Sequence, residues 1–335
     1  MADDPRLGEL GEWELIDRLA AFAPAGQFAD DAAVLQASAE LVVNTDVLVE
    51  GVHFSDATTD GYAAGWRAAA ANLSDLAAMG CRSAHGLTVG LVAPADTRWS
   101  WVEGVYRGLQ ACLSPHGGVL LGGDCSSGSQ RLLAITALGP LQAGAAIRRG
   151  DGRPGDALVC TGPHGLSRLG LALLQEALAA PQRQALPAEL KKAAIAAHRF
   201  PRPRFDAVQA LHRSRPSAQP WRVGGTDSSD GLAAAAAAIA RASGCRAQLS
   251  RTALPLAPAM AELAEAEAWC LGGGEDFELV LALEPAWAAA MVAALPGSQR
   301  IGQLSALEPE AEKAAALVWE QDGSPVKVGG YSHFH

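Results

Sequence analysis

Lysine is nearly missing from this 335-residue chain, which has Lys191, Lys192, Lys313 and Lys327 and no other. None of the four follows a glycine-rich loop and precedes Ser or Thr, so the P-loop signature is excluded. The strand lysine, HRD and DFG elements of protein kinases are missing too, as are HExxH and GxSxG. Lys+Arg is 26 against 36 Asp+Glu, a formal net charge of -10 at pH 7. A chain this acidic is a poor nucleic-acid binder, because the phosphate backbone demands net cationic neutralisation. If it binds phosphates, much of the positive charge has to come from metal ions. No apolar run reaches the roughly 18 residues of a membrane helix. The six cysteines include no CxxC pair, and Met1-Ala-Asp-Asp4 is unlike a signal peptide. The expectation is a cytoplasmic protein with reduced thiols and no membrane partner.

What is present is an ordinary globular composition, 49% apolar and 19% charged, long enough for two cores. Apolar periodicity predicts helices over 10–22, 61–80, 99–113, 188–198, 203–213 and 232–242, another from 166, and one between 283 and 300. Strands are expected over 40–44, 87–92, 118–121, 131–138, 157–161, 277–283 and 300–304. Alternating strands and helices in both halves indicate an α/β (or α+β) fold. The charged, Gly/Pro-rich segment 148–156 suits a domain boundary, so domains are expected at 1–148 and 149–335. The GxGxxG match at 150–155 precedes a predicted strand instead of following one, and is read as chance.

The carboxylates carry the functional signal. Thr45-Asp46 and Gly122-Gly123-Asp124 are read at strand ends, and Asp75 on a helix. Asp227 and Asp230 bracket two serines at a helix start, and Glu275-Asp276 follows three glycines. Strand ends and glycine turns are where loops build sites. Gathered carboxylates repel one another unless cations are present, and hard cations such as Mg²⁺ take oxygen ligands and phosphates. Plainer roles stand beside this one. Ser229 or Asp230 could simply cap a helix, Gly122-Gly123-Asp124 could be a tight turn, Asp75 a solvated helix residue and His53 a packing residue. Gly162-Pro-His-Gly165 has the wrong spacing for a dinucleotide loop.

In order, the chain carries Phe28-Ala-Asp-Asp-Ala-Ala-Val-Leu35, Asn44-Thr-Asp-Val-Leu-Val-Glu-Gly-Val-His-Phe54 and Asn72-Leu-Ser-Asp-Leu-Ala-Ala-Met-Gly80. Gly122-Gly-Asp124, Arg149 and His198-Arg-Phe-Pro-Arg-Pro-Arg204 follow. The last are Asp227-Ser-Ser-Asp-Gly-Leu232, Gly273-Gly-Glu-Asp-Phe-Glu-Leu279 and Gly330-Tyr-Ser-His-Phe334. Together they resemble the thiamine-monophosphate kinase family, within the superfamily of aminoimidazole-ribonucleotide synthetase and selenophosphate synthetase. The resemblance implies an N-terminal sheet domain that pairs across a homodimer and a C-terminal α/β domain. It implies ATP and thiamine phosphate as substrates and several Mg²⁺ ions, with K⁺ a further candidate. Carried over, the metal ligands would be Asp31, Thr45, Asp46, Asp75, Asp124, Asp227 and Asp230, with Asn44 where the family usually has a hydroxyl. Gly123, Arg149 and Ser229 would contact ATP, joined by Tyr106. His53, Glu275 and Tyr331 would line the thiamine phosphate site. No general base is expected, since the acceptor oxygen is already deprotonated. Ala29, Cys125 and Ser228 depart from the family pattern, which usually has Gly, Thr and an apolar residue there. The alternatives are a superfamily enzyme with another acceptor, a metal-dependent phosphohydrolase and a non-catalytic nucleotide-binding protein. Against selenophosphate synthetase stands the lack of any Cys before Cys81 or Lys before Lys191.

Overall fold

A computed structural model describes residues 4–25, 40–307 and 316–327. Asp31 and Tyr331, like Ala29 and Asp30, lie outside the described residues. The chain divides into two compact units, one of residues 1–76 and 81–141, the other of 77–80 and 142–335.

The first unit runs α1 (Leu7–Leu19), β1 (Glu40–Val49), α2 (Gly61–Ala78, its last residues belonging to the other unit), β2 (Gly86–Ala93), α3 (Trp99–Leu113), β3 (Val119–Ser127) and β4 (Leu132–Leu141). Its sheet has the order β1-β4-β2-β3, antiparallel except for the β2/β3 pair. α1 breaks at Gly11, whose φ of 75° is left-handed backbone that glycine alone adopts without strain. α2 and α3 cross at glycines. A Cβ on Gly65 would lie 1.9 Å from the Val105 carbonyl oxygen, and one on Gly108 2.0 Å from that of Tyr62. Any larger residue would push these helices apart.

The second unit adds β5 (Ala157–Cys160), α4 (Leu166–Leu174), α5 (Ala180–Ala185), α6 (Ala188–Arg199), α7 (Phe205–Ser214), β6 (Gly224–Asp227), α8 (Leu232–Ala242), β7 (Cys245–Leu249), α9 (Ala266–Gly272), β8 (Leu279–Leu283), α10 (Pro285–Ala294), β9 (Gln299–Ala306) and β10 (Leu317–Trp319). The sheet order is β10-β7-β9-β5-β8-β6. Every residue of β5 and β8 is buried, as expected where both sheet faces are covered. Leu158, Cys160, Val280 and Ala282 share a core cluster with the alanines of α8.

Three expectations change. β1 continues to Val49, so Thr45 and Asp46 lie mid-strand. Gly122-Gly123-Asp124 lies inside β3 and not at a turn after it, because glycine there removes a clash. A Cβ on Gly123 would sit 2.1 Å from the Val89 carbonyl oxygen. The α8 N-cap is Gly231, at φ 103° with no side-chain cap, so neither Ser229 nor Asp230 caps the helix.

Candidate functional site

The inner face of β1 and the helix above it build an oxygen cluster in the first unit. Asn44 and Asp46 are two apart on one strand, so they share a face. Asn44 Nδ2 donates to Asp75 Oδ2 at 2.8 Å and to Asn72 Oδ1 at 3.1 Å. Asn72 Oδ1 also accepts the Asp46 backbone N–H at 3.1 Å, and Asn72 Nδ2 bonds the Ala68 carbonyl one turn earlier. Asn72 and Asp75, three apart on α2, face the strand together. Asp75 is therefore partly buried and engaged, and is no solvated face residue. Asn44 Oδ1 is buried and has no hydrogen-bond partner among the described residues.

Thr45 and Asp124 are not part of this cluster. Thr45 points to the other face, where its hydroxyl meets Thr136 directly across the ladder at 2.8 Å. The row Asp46, Ile135, Val89, Gly123 runs across all four strands on the inner face. Asp124, one residue on, therefore faces outward, on the strand at the opposite edge from β1, and accepts from the Ser126 hydroxyl at 3.1 Å. Among the described residues no group of three or more His, Cys, Asp or Glu could by itself hold a metal ion. Tyr106 is only 3% exposed. Its ring packs against Phe22, centroids 5.7 Å apart, and burial pushes its hydroxyl well above the ordinary phenol pKa. A cavity of about 250 Å³ opens between α1 and Cys125 in β3. It borders neither Asp46 nor Asp75.

His53 sits in a tight turn after β1. Its Nδ1 accepts the Val49 N–H at 3.0 Å, so the neutral ring carries its proton on Nε2. Arg67 Nη2 donates to the His53 carbonyl at 3.2 Å. Arg131 binds both Glu50 and Asp56 and lies 4.7 Å over the Trp101 ring, which in turn stacks on Phe54. The Arg131 guanidinium holds the Glu50 carboxyl below its usual range. The candidate substrate residue is thus presented by a clamped turn.

In the second unit the candidates occupy two touching segments. Asp227 ends β6 and is buried, as is Ser228, whereas Ser229 and Asp230 are exposed. Arg149 Nε donates to Thr226 Oγ1 at 3.2 Å, which sets the guanidinium beside this strand end. Glu275 and Phe277 adopt left-handed backbone, φ 58° and 52°, where non-glycine residues are strained. Alternate residues of the motif anchor the strained loop. Asp276 accepts the Gly165 and Ser167 N–H groups at the start of α4, at 2.8 and 3.1 Å. Glu278 bonds Thr161 and Arg204, and the Phe277 ring is buried. Glu275 is left partly exposed, its carboxylate 3.7 Å from His198 Nδ1. Burial raises the Asp276 carboxyl to about 7, with the two N–H donors opposing.

Sequence reasoning missed Asn72, Arg67, Arg131, Arg204 and His164 as contributors. Asn72 lay three residues from Asp75, a helical spacing that could have flagged it. Arg131 is 81 residues from Glu50, and nothing local announces that pair.

Comparison with known proteins adds identity. The family described as AIR synthase related protein, N-terminal domain, matches residues 29–141, and its C-terminal domain matches 153–315. Thiamine-monophosphate kinase of Synechococcus elongatus is 50% identical over 90% of this chain and 91% of its own length. That of Prochlorococcus marinus is 47% identical over 89% of each. The solved structure described as AaThiL complexed with AMPPCP and TMP aligns at 28% identity with a TM-score of 0.74, covering 98% of this chain and 99% of that one. The hydrogenase maturation protein HypE in complex with ATP, at 19% identity and TM-score 0.76, shares the fold. With 47–50% identity to these relatives along nine-tenths of its length, and both family domains matched, the chain belongs to the thiamine-monophosphate kinase family.

Proposed function

We propose that the chain transfers the γ-phosphoryl group of ATP to the phosphate of thiamine phosphate, giving ADP and thiamine diphosphate. The observation that carries this is identity of 47–50% along nine-tenths of the chain to proteins of that name. The obstacle in such a reaction is charge, since an anionic acceptor oxygen must reach an anionic phosphoryl group. The acceptor needs no general base. What the protein must supply is positioning and charge compensation.

The first unit's cluster suits Mg²⁺. Asn44 Oδ1 is buried beside oxygen donors and has no hydrogen-bond partner among the described residues, and Mg²⁺ takes one or two carboxylates together with phosphate oxygens. Asn44, Asp46 and Asp75 would hold one ion; Thr45 and Asp124, on the other face of the sheet, and Asp31, Asp227 and Asp230 are proposed as ligands of further ions, with K⁺ a candidate companion ion. The bound cation supplies charge neutralisation at the phosphates. Arg149 adds a guanidinium whose Nη groups suit a bidentate phosphate contact. Ser229 and Gly123 are the further ATP contacts of this reading, with Tyr106 supporting Gly123's unit from the core. His53 offers its Nε2–H to the acceptor phosphate, while Glu275 and Tyr331 engage the cationic thiamine.

We place the enzyme in the cytoplasm as a homodimer, with domains meeting near 148/149. Leu41, Val43 and Val47 expose 46%, 62% and 42% on the outer face of β1, an apolar row that a second copy would cover. Asp124 lies on that same face, which gives it a route to function that Asp46 does not share. Among the described residues no helix is long and apolar enough to cross a membrane.

The test is chromatography of purified protein incubated with ATP, Mg²⁺ and thiamine phosphate. Thiamine diphosphate and ADP should appear in equal amounts. No product across a range of Mg²⁺ and K⁺, or phosphate release without an acceptor, would overturn the assignment.

A further inference from the structure

Gly162-Pro-His-Gly165 has no part in the chemistry above, yet its histidine lies fully buried against the candidate nucleotide segment. His164 is 0% exposed. Its Nδ1 lies 3.3 Å from the Gly162 carbonyl oxygen and 3.3 Å from Cys160 Sγ. A carbonyl can only accept, so Nδ1 carries the proton and donates to it. That leaves Nε2 as an acceptor, 2.8 Å from Ser228 Oγ, so the serine hydroxyl donates to the ring. Burial lowers the His164 pKa to about 4, so the ring is neutral at physiological pH and this donor–acceptor order is stable.

Ser228 is itself 1% exposed and lies between Asp227 and Ser229. Its N–H donates to the Glu278 carbonyl at 2.9 Å, and its own carbonyl accepts the Gly231 N–H at 3.0 Å. The next carbonyl, Ser229 O, accepts the Glu275 N–H at 2.7 Å. Gly274 lets the two strands of backbone approach. At φ 69°, a Cβ on it would sit 2.8 Å from that same Ser229 oxygen. The Asp227–Asp230 segment is therefore held by main-chain bonds to the 274–278 loop, and Ser228 adds a side-chain bond into the core, to His164.

We propose that His164 is a positioning residue for nucleotide binding, acting through Ser228 to hold Ser229 and Asp230 in their outward presentation. It touches no substrate. The inference rests on the reading of Ser229 as an ATP contact. It also gives Ser228, where the family usually has an apolar side chain, a reason to be serine, because an apolar residue would leave a buried imidazole nitrogen unpaired. An unpaired buried acceptor is costlier than the bond itself is favourable.

Calorimetric titration with a non-hydrolysable ATP analogue and Mg²⁺ tests this, with melting temperatures measured in parallel. Wild-type protein must bind first. If it does not, the nucleotide reading fails and the positioning proposal is not what was refuted. Ser228→Ala should weaken binding about 5- to 10-fold, the scale of one lost hydrogen bond. His164→Leu should do the same, and the double variant should be no worse than either single, since one bond is lost in all three. His164→Gln, which can place an acceptor oxygen near the Nε2 position, should restore affinity even if it does not restore melting temperature. Wild-type affinity in Ser228→Ala, additive losses in the double variant, or equal losses in His164→Gln and His164→Leu would overturn the proposal. Ser228→Ala removes a single oxygen atom, so it keeps the test decisive if His164→Leu does not fold.

Discussion

The two units present their polar residues by opposite means. In the first, Asn44 and Asp46 stand on a regular ten-residue strand, and Asn72 and Asp75 on a regular helix. Strand pleat and helix turn aim these side chains at no cost in backbone strain. In the second, Glu275 is aimed by left-handed backbone, and Asp276 and Glu278, which follow it in the motif, anchor the loop. Strained backbone persists only where its surroundings over-determine it. The regular unit should therefore tolerate loss of a functional side chain without losing its fold. The strained loop should lose shape and function together.

The largest expected effect tests the first half of that contrast. Asp46→Asn should cut turnover by about 100-fold or more while circular dichroism and melting temperature stay near wild type. Near-normal turnover would remove Asp46 from the metal set.

Asp276 sharpens the second half through pH. Its folded pKa, about 7, is above the ordinary 3.8, so the folded state binds more protons between those values. Its contribution is fully present below pH 3.8 and is lost as pH rises to about 7, then stays level. The loss is on the order of 4 kcal/mol at most, and smaller to the extent that solvent reaches the residue. Asp276→Asn should remove that decline from the difference in melting temperature measured across the window. A difference independent of pH would show the carboxyl to be ionised throughout.

Gly274→Ala adds a Cβ at a positive φ, 2.8 Å from Ser229 O. It should cost about 1–3 kcal/mol of stability and raise KM for both substrates, read by denaturant melts and steady-state kinetics. Arg131→Met sits in the regular unit but strikes the clamped turn that carries His53. Loss of the bonds to Glu50 and Asp56 should cost roughly 1.5–3 kcal/mol and raise KM for thiamine phosphate more than for ATP. The smallest effect is at the surface. Glu14→Ala breaks the exposed pair with Arg18 one helical turn away, and should shift stability by no more than about 0.5 kcal/mol.

Much of the fold could be read in advance from local pattern. The helix over 99–113 coincides with α3, and the Ala-rich helix ends at Ala242 as its periodicity implies. Expectation failed where a tertiary neighbour overrode local chemistry. Gly122-Gly123-Asp124 has turn composition, yet continues a strand because β2 passes too close for any side chain at Gly123. β7 and β10 were not foreseen; they are short strands of five and three residues that owe their existence to pairing partners. Within the candidate site, Asp75 was legible as a residue but not as a partner of Asn44, 31 positions away. The sequence also could not reveal that Thr45 and Asp46, adjacent in the chain, point to opposite faces of a strand that runs straight through them.

The order of residues alone determined the class of chemistry. Too few cations, abundant carboxylates and a chain-long series of short motifs settle family and fold class, because composition and local pattern are properties of the chain before it folds. Tertiary structure decided which of those residues meet. Packing of α2 on β1 joined Asp46 to Asn72, sheet register sent Asp124 to the other face, and buried contacts with Arg204 and Thr161 bent the Glu275 loop into shape. Those outcomes depend on pairing between distant segments, and only the folded chain brings such segments within bonding distance.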